Sequence, residues 1–282
     1  MILRLLKKLL SLFFEFLNLN YLQRFKLLYF FRNIILGFLG CLPFTSLKTL
    51  CSIAGAYKFK DFPEIYLSID NYIERKRVKK LAEIGVGSHN LNFGGGKSLM
   101  AFANYYRNSK VFGLDINDKS YLDRKNIKTI ICDQGNKNQL KSFAKKFGNF
   151  DIIIDDGSHF VNHQILSFEV LFKYLNDGGV YIIEDCAGSY LKAYNGDPNL
   201  SPKKNLISYF QQKVHSTNSS YLQKKFEKNV LDISLITFVR EAILIKKKVN
   251  KNKFKYQKKA FLNLNKLEKR KDKFGSLNLK KD

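Results

Sequence analysis

The stretch Phe150-Asp-Ile-Ile-Ile-Asp-Asp-Gly-Ser-His159 decides the fold, together with Gly178-Gly-Val-Tyr-Ile-Ile-Glu-Asp185 further along the chain. Each stretch contains a short, unbroken apolar run, which is typical of a strand buried on both faces of a parallel sheet. Acidic residues follow each run directly. Because parallel strands end at the same edge of a sheet, the polar residues after both runs are expected to surround one crevice. The residues predicted at this crevice are Asp156, His159, Glu184 and Asp185.

Three carboxylates beside one imidazole indicate a site for a hard divalent cation with a general base next to it. A purely structural alternative stays open for each acid taken alone. Asp155 or Asp156 could cap the helix that follows, and His159 could be an ordinary residue of a surface loop. The whole set at two neighbouring strand ends favours the functional interpretation.

Apolar runs and helical segments alternate regularly from residue 78 onward, which predicts parallel βαβ units in a doubly wound sheet. Two further runs, at 231–238 and 241–247, are joined by almost no linker, so they are predicted to form an antiparallel hairpin. The predicted strands before the hairpin are residues 78–86, 111–116, 127–132, 150–155 and 180–184, and the predicted helices are residues 98–106, 139–147, 164–175 and 205–214. The expected fold is therefore α/β, with a mostly parallel seven-stranded sheet, an antiparallel C-terminal hairpin and a helical N-terminal segment.

The positive charge is concentrated at the two ends of the chain. The formal net charge is +25, but residues 1–60 carry 9 Lys or Arg against 1 acid, and residues 246–282 carry 15 against 3. The sequence divides accordingly into an apolar and basic helical segment (1–60), a catalytic-type domain (61–247) and a Lys-rich tail (248–282). Lysines outnumber arginines 40 to 9. Since arginine is the residue that grips phosphates and reads bases, nucleic acid is not the expected partner.

The first 20 residues are apolar around most of a helix, with one narrow polar stripe. Two interpretations stay open for residues 1–45: a helical lid or dimer surface packed on the domain, or a helix that lies on a membrane surface. No run is long enough to span a bilayer. The four cysteines have no paired spacing, which favours a reducing compartment, so the expected location is cytoplasmic, with or without peripheral membrane contact.

Residues 78–247 resemble the class I S-adenosylmethionine-dependent methyltransferases, which have a Rossmann-like fold. Within that class they resemble the metal-dependent sugar O-methyltransferases of macrolide biosynthesis and the related cephalosporin-hydroxylase-like group. The two stretches quoted above carry the resemblance together with four other segments: Glu83-Ile-Gly-Val-Gly87, Gly94-Gly-Gly-Lys-Ser-Leu99, Phe112-Gly-Leu-Asp-Ile116 and Cys132-Asp-Gln134.

The resemblance implies roles for individual residues. Magnesium binding is implied for Asp156, Glu184 and Asp185, and the role of general base for His159. Cofactor binding is implied on the glycine-rich side of the crevice. Independently of the resemblance, glycines after the first strand let the backbone turn and approach a ligand, and an acid at the end of the second strand can accept ribose hydroxyls. The residues assigned to the cofactor are Glu83, Gly85, Gly87, Asp115, Asp133, Gln134 and Asp155.

The sequence therefore predicts an S-adenosylmethionine- and Mg²⁺-dependent O-methyltransferase that acts on a sugar or polyol hydroxyl. The acceptor can be free, nucleotide-linked or lipid-linked. Two alternatives remain: a non-catalytic interaction module at a membrane surface, and a hydroxylase-like relative on the same scaffold. The oligomeric state is not determined by the sequence.

Overall fold

The computed structural model describes residues 20–87, 94–221 and 231–249, and a seven-stranded sheet lies at its centre. The predictions for residues 1–19 and for most of the tail fall outside these ranges, as does the loop 88–93 between the two glycine clusters. The strands are β1 (Lys80–Ile84), β2 (Lys110–Asp115), β3 (Ile127–Ile131), β4 (Phe150–Asp155), β5 (Leu175–Ile183), β6 (Ile233–Val239) and β7 (Ala242–Lys247).

Helices cover both faces of the sheet. The α-helices are α1 (Tyr21–Cys41), α2 (Leu47–Ala54), α3 (Lys58–Asp61), α4 (Pro63–Tyr66), α5 (Ile69–Tyr72), α6 (Lys97–Tyr105), α7 (Lys137–Phe147), α8 (Val161–Leu171) and α9 (Leu206–Lys213). Short 3-10 helices lie at Arg75–Arg77, Ser120–Leu122, Phe172–Tyr174, Cys186–Tyr190, Lys192–Tyr194 and Val214–Tyr221.

The strand order is β3-β2-β1-β4-β5-β7-β6, with β1 to β5 parallel and β7 antiparallel to both of its neighbours. This order confirms the doubly wound sheet and the C-terminal hairpin. After β1 the chain builds outward through β2 and β3, and then returns to add β4 on the other side of β1. The order therefore reverses between β1 and β4, and the crevice at their carboxyl ends is the expected ligand position in such a sheet.

Side chains alternate between the two faces of the sheet, as the pleat requires. Ile152 and Ile154 pack in a core formed with α1, α2 and α6, whereas Ile153 packs in a second core with α7, α8 and α9. The same alternation directs the acids at the strand ends. Asp155 belongs to the face of Ile153, while Glu184 follows Ile182 on the face of the N-terminal helices.

One strand is longer than predicted. The sequence places the start of β5 at Val180, because Asn176-Asp-Gly-Gly179 is typical of a turn. In the structure β5 begins at Leu175, which pairs with Phe150, and the pairing with β4 shifts its register before Ile152. Gly178 lies within this irregular part of β5 and has a φ of 74°, a backbone conformation that favours glycine. The turn-forming residues make a bulge within the strand rather than a loop before it.

The N-terminal helices pack one face on the domain and leave another face uncovered. Leu36 of α1 and Leu47 and Leu50 of α2 are buried in the core beneath α6. A row of large apolar side chains faces away from the core, and among the described residues no helix combines the length and apolar character needed to cross a bilayer. The exposed apolar residues of α1 and the turn after it are Phe30, Phe31, Ile34, Ile35, Phe38 and Phe44.

Candidate active site

A cavity of about 320 Å³ opens at the carboxyl ends of β1 and β4, within the size range of ligand pockets, roughly 300–1,000 Å³. Two glycines shape its floor. Gly85 has φ 84°, and a Cβ there would overlap the backbone carbonyl of Asp156. Gly95 has φ 81°, and a Cβ there would overlap the carbonyl oxygen of Val86. The cavity lining includes Gly85, Gly87, Lys58, Asp156, Glu184 and Asp185.

A buried lysine from the N-terminal segment lies among the strand-end acids. The Lys58 Nζ atom donates to Asp156 Oδ2 at 2.7 Å and to both oxygens of Glu184 at 2.9 and 2.8 Å. It also lies 3.0 Å from Glu83 Oε1. The hydroxyl of Tyr66 donates to Glu184 Oε1, and the hydroxyl of Ser98 donates to Glu83 Oε2 at 2.8 Å. One ammonium therefore binds three carboxylates from three different strands.

The electrostatics of this group follow from burial. Burial alone would lower the pKa of Lys58, but attraction by Asp156, Glu184 and Glu83 outweighs it and holds that pKa well above its ordinary value. Burial raises the pKa of Glu184, and the negative charge of Asp156 adds to this, against the attraction of Lys58. The pKa of Glu83 is raised for the same main reason. Burial is therefore the main reason that these carboxyl pKa values are raised, and repulsion by Asp156 is a smaller contribution.

A second group of ligand-type atoms shares Asp156 with this ion-pair cluster. Single ligand atoms of Asp156, His159 and Asp185 lie within 4.8 Å of one another, and His159 Nε2 is 3.7 Å from Asp185 Oδ2. His159 and Asp185 have φ values of 59° and 54°, which are unusual for residues with side chains. Strained backbone of this kind is concentrated at functional sites, where the surrounding structure maintains it.

The two acids at the end of β4 have different surroundings. Asp155 is fully buried on the opposite face of the sheet from Lys58, where its carboxylate accepts from Ser167 and, at 2.7 Å, from Gln134 Nε2. Burial raises its pKa to about 7. The Gln134 Oε1 atom accepts from the backbone of Ser158 at 2.9 Å. These hydrogen bonds hold the loop that carries His159. The assignment of Asp155 and Gln134 to the cofactor remains a prediction.

Two further predicted cofactor residues are bonded to the backbone around the cavity. Asp115, at the end of β2, accepts from the amide of Val86 at 3.0 Å and from the amide of Asn117 at 2.9 Å. Asp133, after β3, accepts from the amide of Gly135 at 2.7 Å. Asp115 therefore connects the second strand directly to the glycine loop of the first. Both residues lie at strand ends, as the sequence predicts, and their roles toward a cofactor remain predictions.

The loop after β5 passes close to the backbone of His159 and carries aromatic side chains. Its backbone approaches closely, since a Cβ at Gly188 would lie 2.9 Å from the carbonyl oxygen of His159. The rings of Phe160 and Tyr194 have centroids 5.8 Å apart. Tyr190 and Leu191 on the same loop are about half exposed. The backbone of the general-base candidate is thus close to a loop with partly exposed apolar residues.

Lys58 and Tyr66 are the site residues that the sequence interpretation missed. Lys58 lies in Ala54-Gly-Ala-Tyr-Lys-Phe-Lys60, the stretch that corresponds to a GTDK-like segment of the sugar O-methyltransferases that the chain resembles. That segment is expected to contribute to cofactor or substrate contacts, but the sequence did not identify Lys58 as the residue that pairs with the acids. Tyr66 is in a stretch with no recognised pattern.

The residues fit the groups implied by the resemblance. Oxygen-rich donor sets suit Mg²⁺, and the carboxylates exceed the positive charge available from Lys58. The His159 Nδ1 atom is buried and has no hydrogen-bond partner among the described residues, so a ligand or water can satisfy it. On the other side of the cavity, the glycines leave room for a ligand to approach the backbone closely.

Curated relatives of the chain are O-methyltransferases. It is 40% identical over 122 residues to 8-demethyl-8-alpha-L-rhamnosyl tetracenomycin-C 2'-O-methyltransferase of Streptomyces olivaceus, covering 43% of this chain and 32% of that protein. It is 34% identical over 167 residues to mycinamicin VI 2''-O-methyltransferase of Micromonospora griseorubida, covering 56% and 42%. The chain thus spans less than half the length of these relatives. No model of a known protein family matches the sequence.

A solved structure extends the likeness to most of the chain. The MycE methyltransferase of the mycinamycin biosynthetic pathway, in complex with Mg and SAH, superposes with a TM-score of 0.67 at 27% identity. The match covers 74% of this chain and 56% of MycE. The chain therefore has the Rossmann-like fold of the class I methyltransferases, and in sequence and structure it resembles the sugar O-methyltransferases.

Proposed function

We propose that this protein is an S-adenosylmethionine-dependent O-methyltransferase that acts on a hydroxyl of a sugar or polyol and uses Mg²⁺ or a similar divalent cation. The observation that carries this proposal is the grouping of Asp156, His159 and Asp185 beside the cavity bounded by Gly85 and Gly87. The curated relatives and MycE support it. Their names specify O-methyl transfer to a rhamnosyl tetracenomycin-C and to mycinamicin VI, and MycE was solved with Mg and SAH.

The residues have separate tasks in this proposal. Asp156 and Asp185 hold the cation on the cavity side, and Glu184 is the third predicted ligand. Each carboxylate has about four lone-pair positions, so Glu184 can bind Lys58 and still offer one to a metal. A bound divalent cation supplies a lower pKa for a coordinated acceptor hydroxyl and fixes its position. The glycine loop after β1, with Asp115 behind it, binds S-adenosylmethionine.

His159 is the proposed general base. Its imidazole lies beside Asp185, and in this proposal it takes the hydroxyl proton as the oxygen attacks. The oxygen–methyl bond forms as the sulfur–methyl bond breaks, and the products are a methyl ether and S-adenosylhomocysteine. Alignment of the oxygen with the methyl group supplies much of the rate. In this proposal, the neighbouring rings of Phe160 and Tyr194 contact the apolar face of the sugar ring.

Calorimetric titration of the full chain with S-adenosylmethionine, without metal and then with Mg²⁺, tests the proposal. Micromolar binding is expected, followed by a mass gain of one methyl group on a sugar acceptor. The His159→Ala variant should bind S-adenosylmethionine as tightly as wild type but lose about 10² to 10⁴-fold in turnover. His215→Ala, at an exposed position, is the matched control. Absence of binding in both titrations would contradict the proposal and favour an interaction module.

We also infer that the uncovered face of α1 contacts a membrane surface, so that a lipid-linked sugar precursor is a suitable acceptor. Phe38 and Phe44 are 68% and 81% exposed, and the neighbouring apolar residues add to the same face. Apolar patches of this kind on soluble domains mark interaction sites. The basic excess of residues 1–60 suits an anionic lipid surface.

A further inference from the structure

The ammonium of Lys58 binds the acids at the strand ends, and Lys58 is itself one of the residues that line the cavity. It contacts Glu83 of β1, Asp156 after β4 and Glu184 after β5, all at 3.0 Å or less. Lys58 and the two glutamates are almost completely buried. Tyr66 of α4 also binds Glu184, which fixes this carboxylate from a second direction.

Among the described residues, this cluster contains more carboxyl groups than lysines bound to them. Four carboxylates lie together, namely Glu83, Asp156, Glu184 and Asp185, and Lys58 is the lysine bound to three of them. Buried carboxylates are stable only when paired with cations. A divalent cation on the cavity side would supply the missing positive charge.

Lys58 also divides the carboxylate oxygens into two sets. It binds Oδ2 of Asp156 and leaves Oδ1 for another ligand, whereas both oxygens of Glu184 are engaged. Asp185 lies outside these ion pairs, and its Oδ2 atom is 3.7 Å from His159 Nε2. We call the oxygens bound by the ammonium the inner oxygens, and the remaining oxygen of Asp156 together with the Asp185 carboxylate the outer oxygens.

We propose that Lys58 is a positioning residue of the cation site: its ammonium is a permanent counter-ion for the inner carboxylates and thereby sets how strongly the outer ones bind a divalent cation. This inference rests on the proposed function. Because the ammonium and the metal ion repel each other and share Asp156, loss of the ammonium increases the affinity for the metal.

Binding of Mn²⁺ to the full chain without other ligands tests this inference, since Mn²⁺ suits the same oxygen donors as Mg²⁺ and is visible by electron paramagnetic resonance. Lys58→Met is expected to bind Mn²⁺ at least about tenfold more tightly than wild type. It is also expected to gain more in melting temperature when Mn²⁺ replaces a chelator. Lys60→Met is the matched control, because Lys60 is exposed two residues away. Its affinity should equal that of wild type.

Two further variants keep the test decisive if Lys58→Met does not fold. Glu83→Gln removes one carboxylate and keeps Lys58, and it should weaken Mn²⁺ binding about tenfold. Lys58→Met combined with Glu83→Gln removes a buried ion pair and should return the affinity to that of wild type. Affinity in Lys58→Met that is equal to or weaker than wild type, or an unchanged affinity in Glu83→Gln, overturns the inference.

The outcomes separate this inference from the proposed function. If wild type does not bind Mn²⁺ but Lys58→Met does, the counter-ion role stands and the cation requirement of the proposed enzyme fails. If neither binds, both are overturned. If wild type binds and Lys58→Met binds equally, only the role of Lys58 is overturned.

Discussion

At the scale of single residues, Asp155 and Asp156 are neighbours in sequence with opposite environments. The carboxylate of Asp155 is enclosed between Gln134, Ser167 and the more distant hydroxyl of Tyr181 at 3.4 Å. The side chain of Asp156 is 30% exposed and borders the cavity. The first acid therefore maintains the loop that carries His159, while the second is available to a ligand.

This difference predicts that substitution of Asp155 affects mainly stability, whereas substitution of Asp156 affects mainly cation binding. Asp155→Ala should lower the free energy of unfolding by about 3 kcal/mol, because buried partners lose their acceptor. Asp156→Ala should change the free energy of unfolding by less than about 1 kcal/mol, since its partner Lys58 keeps two other carboxylates. It should, however, weaken Mn²⁺ binding by tenfold or more.

Urea unfolding followed by circular dichroism measures the stabilities, and paramagnetic resonance measures Mn²⁺ binding. Equal destabilisation by the two substitutions would contradict the separate roles. So would wild-type Mn²⁺ affinity in Asp156→Ala.

At the scale of elements, the ends of β1 and β4 approach each other so closely that only glycine fits between them. The Asp156 amide, just after β4, donates to the carbonyl of Ile84 in β1 at 2.9 Å. On the other side of β1, the Gly85 amide donates to the carbonyl of Leu114 in β2 at 2.8 Å. The position at which the strand order reverses is therefore also a backbone contact. The cavity exists because both strands stop there and the glycine turns the chain away.

Gly85→Ala is expected to disrupt this contact, because a Cβ would collide with the Asp156 carbonyl and φ 84° is unfavourable for alanine. We expect a loss of at least about 2 kcal/mol in the free energy of unfolding and loss of S-adenosylmethionine binding. Gly37→Ala in α1 is the control. Its Cβ would meet an ordinary contact at 3.8 Å, and alanine favours a helix by about 0.5–1 kcal/mol.

Chemical unfolding and calorimetry check both variants. Wild-type stability in Gly85→Ala would show that the strands can separate there without cost, and the close approach would then have no structural importance.

At the scale of the whole molecule, the N-terminal helices present two different faces. Their inner face supplies Lys58 and Tyr66 to the acidic cluster and packs beneath α6. Their outer face carries exposed aromatic residues. The lid and membrane interpretations of this segment are therefore compatible, since they concern different faces.

Membrane contact through the outer face predicts that the protein floats with vesicles that contain anionic lipid and less with neutral vesicles. Phe31→Glu combined with Phe38→Glu should reduce the floating fraction several-fold, because both residues are exposed and now carry charge. Thermal stability should remain within about 0.5 kcal/mol of wild type. A protein that stays entirely in the soluble fraction, with or without the substitutions, contradicts membrane contact.

The sequence by itself determined the parts of this protein that depend on local pattern. Buried strands are recognisable from unbroken apolar runs, the hairpin follows from its short linker, and residues at strand ends must meet at one edge of a parallel sheet. Asp156, Glu184, Asp185 and His159 could therefore be brought to one crevice from spacing alone. The predicted length of β5 was wrong because Asn176-Asp-Gly-Gly179 is typical of a turn but forms a bulge within the strand.

Only the tertiary structure decided how the charges of the crevice are shared. Lys58 is 98 residues from Asp156 and 126 from Glu184 along the chain, and no local periodicity links such distant positions. Their contact depends on how α1 to α4 pack on one face of the sheet. The same packing decides that Glu184 faces a lysine while Asp155 faces Gln134. A strand pattern specifies that two faces alternate, but the long-range packing of helices specifies what each face meets.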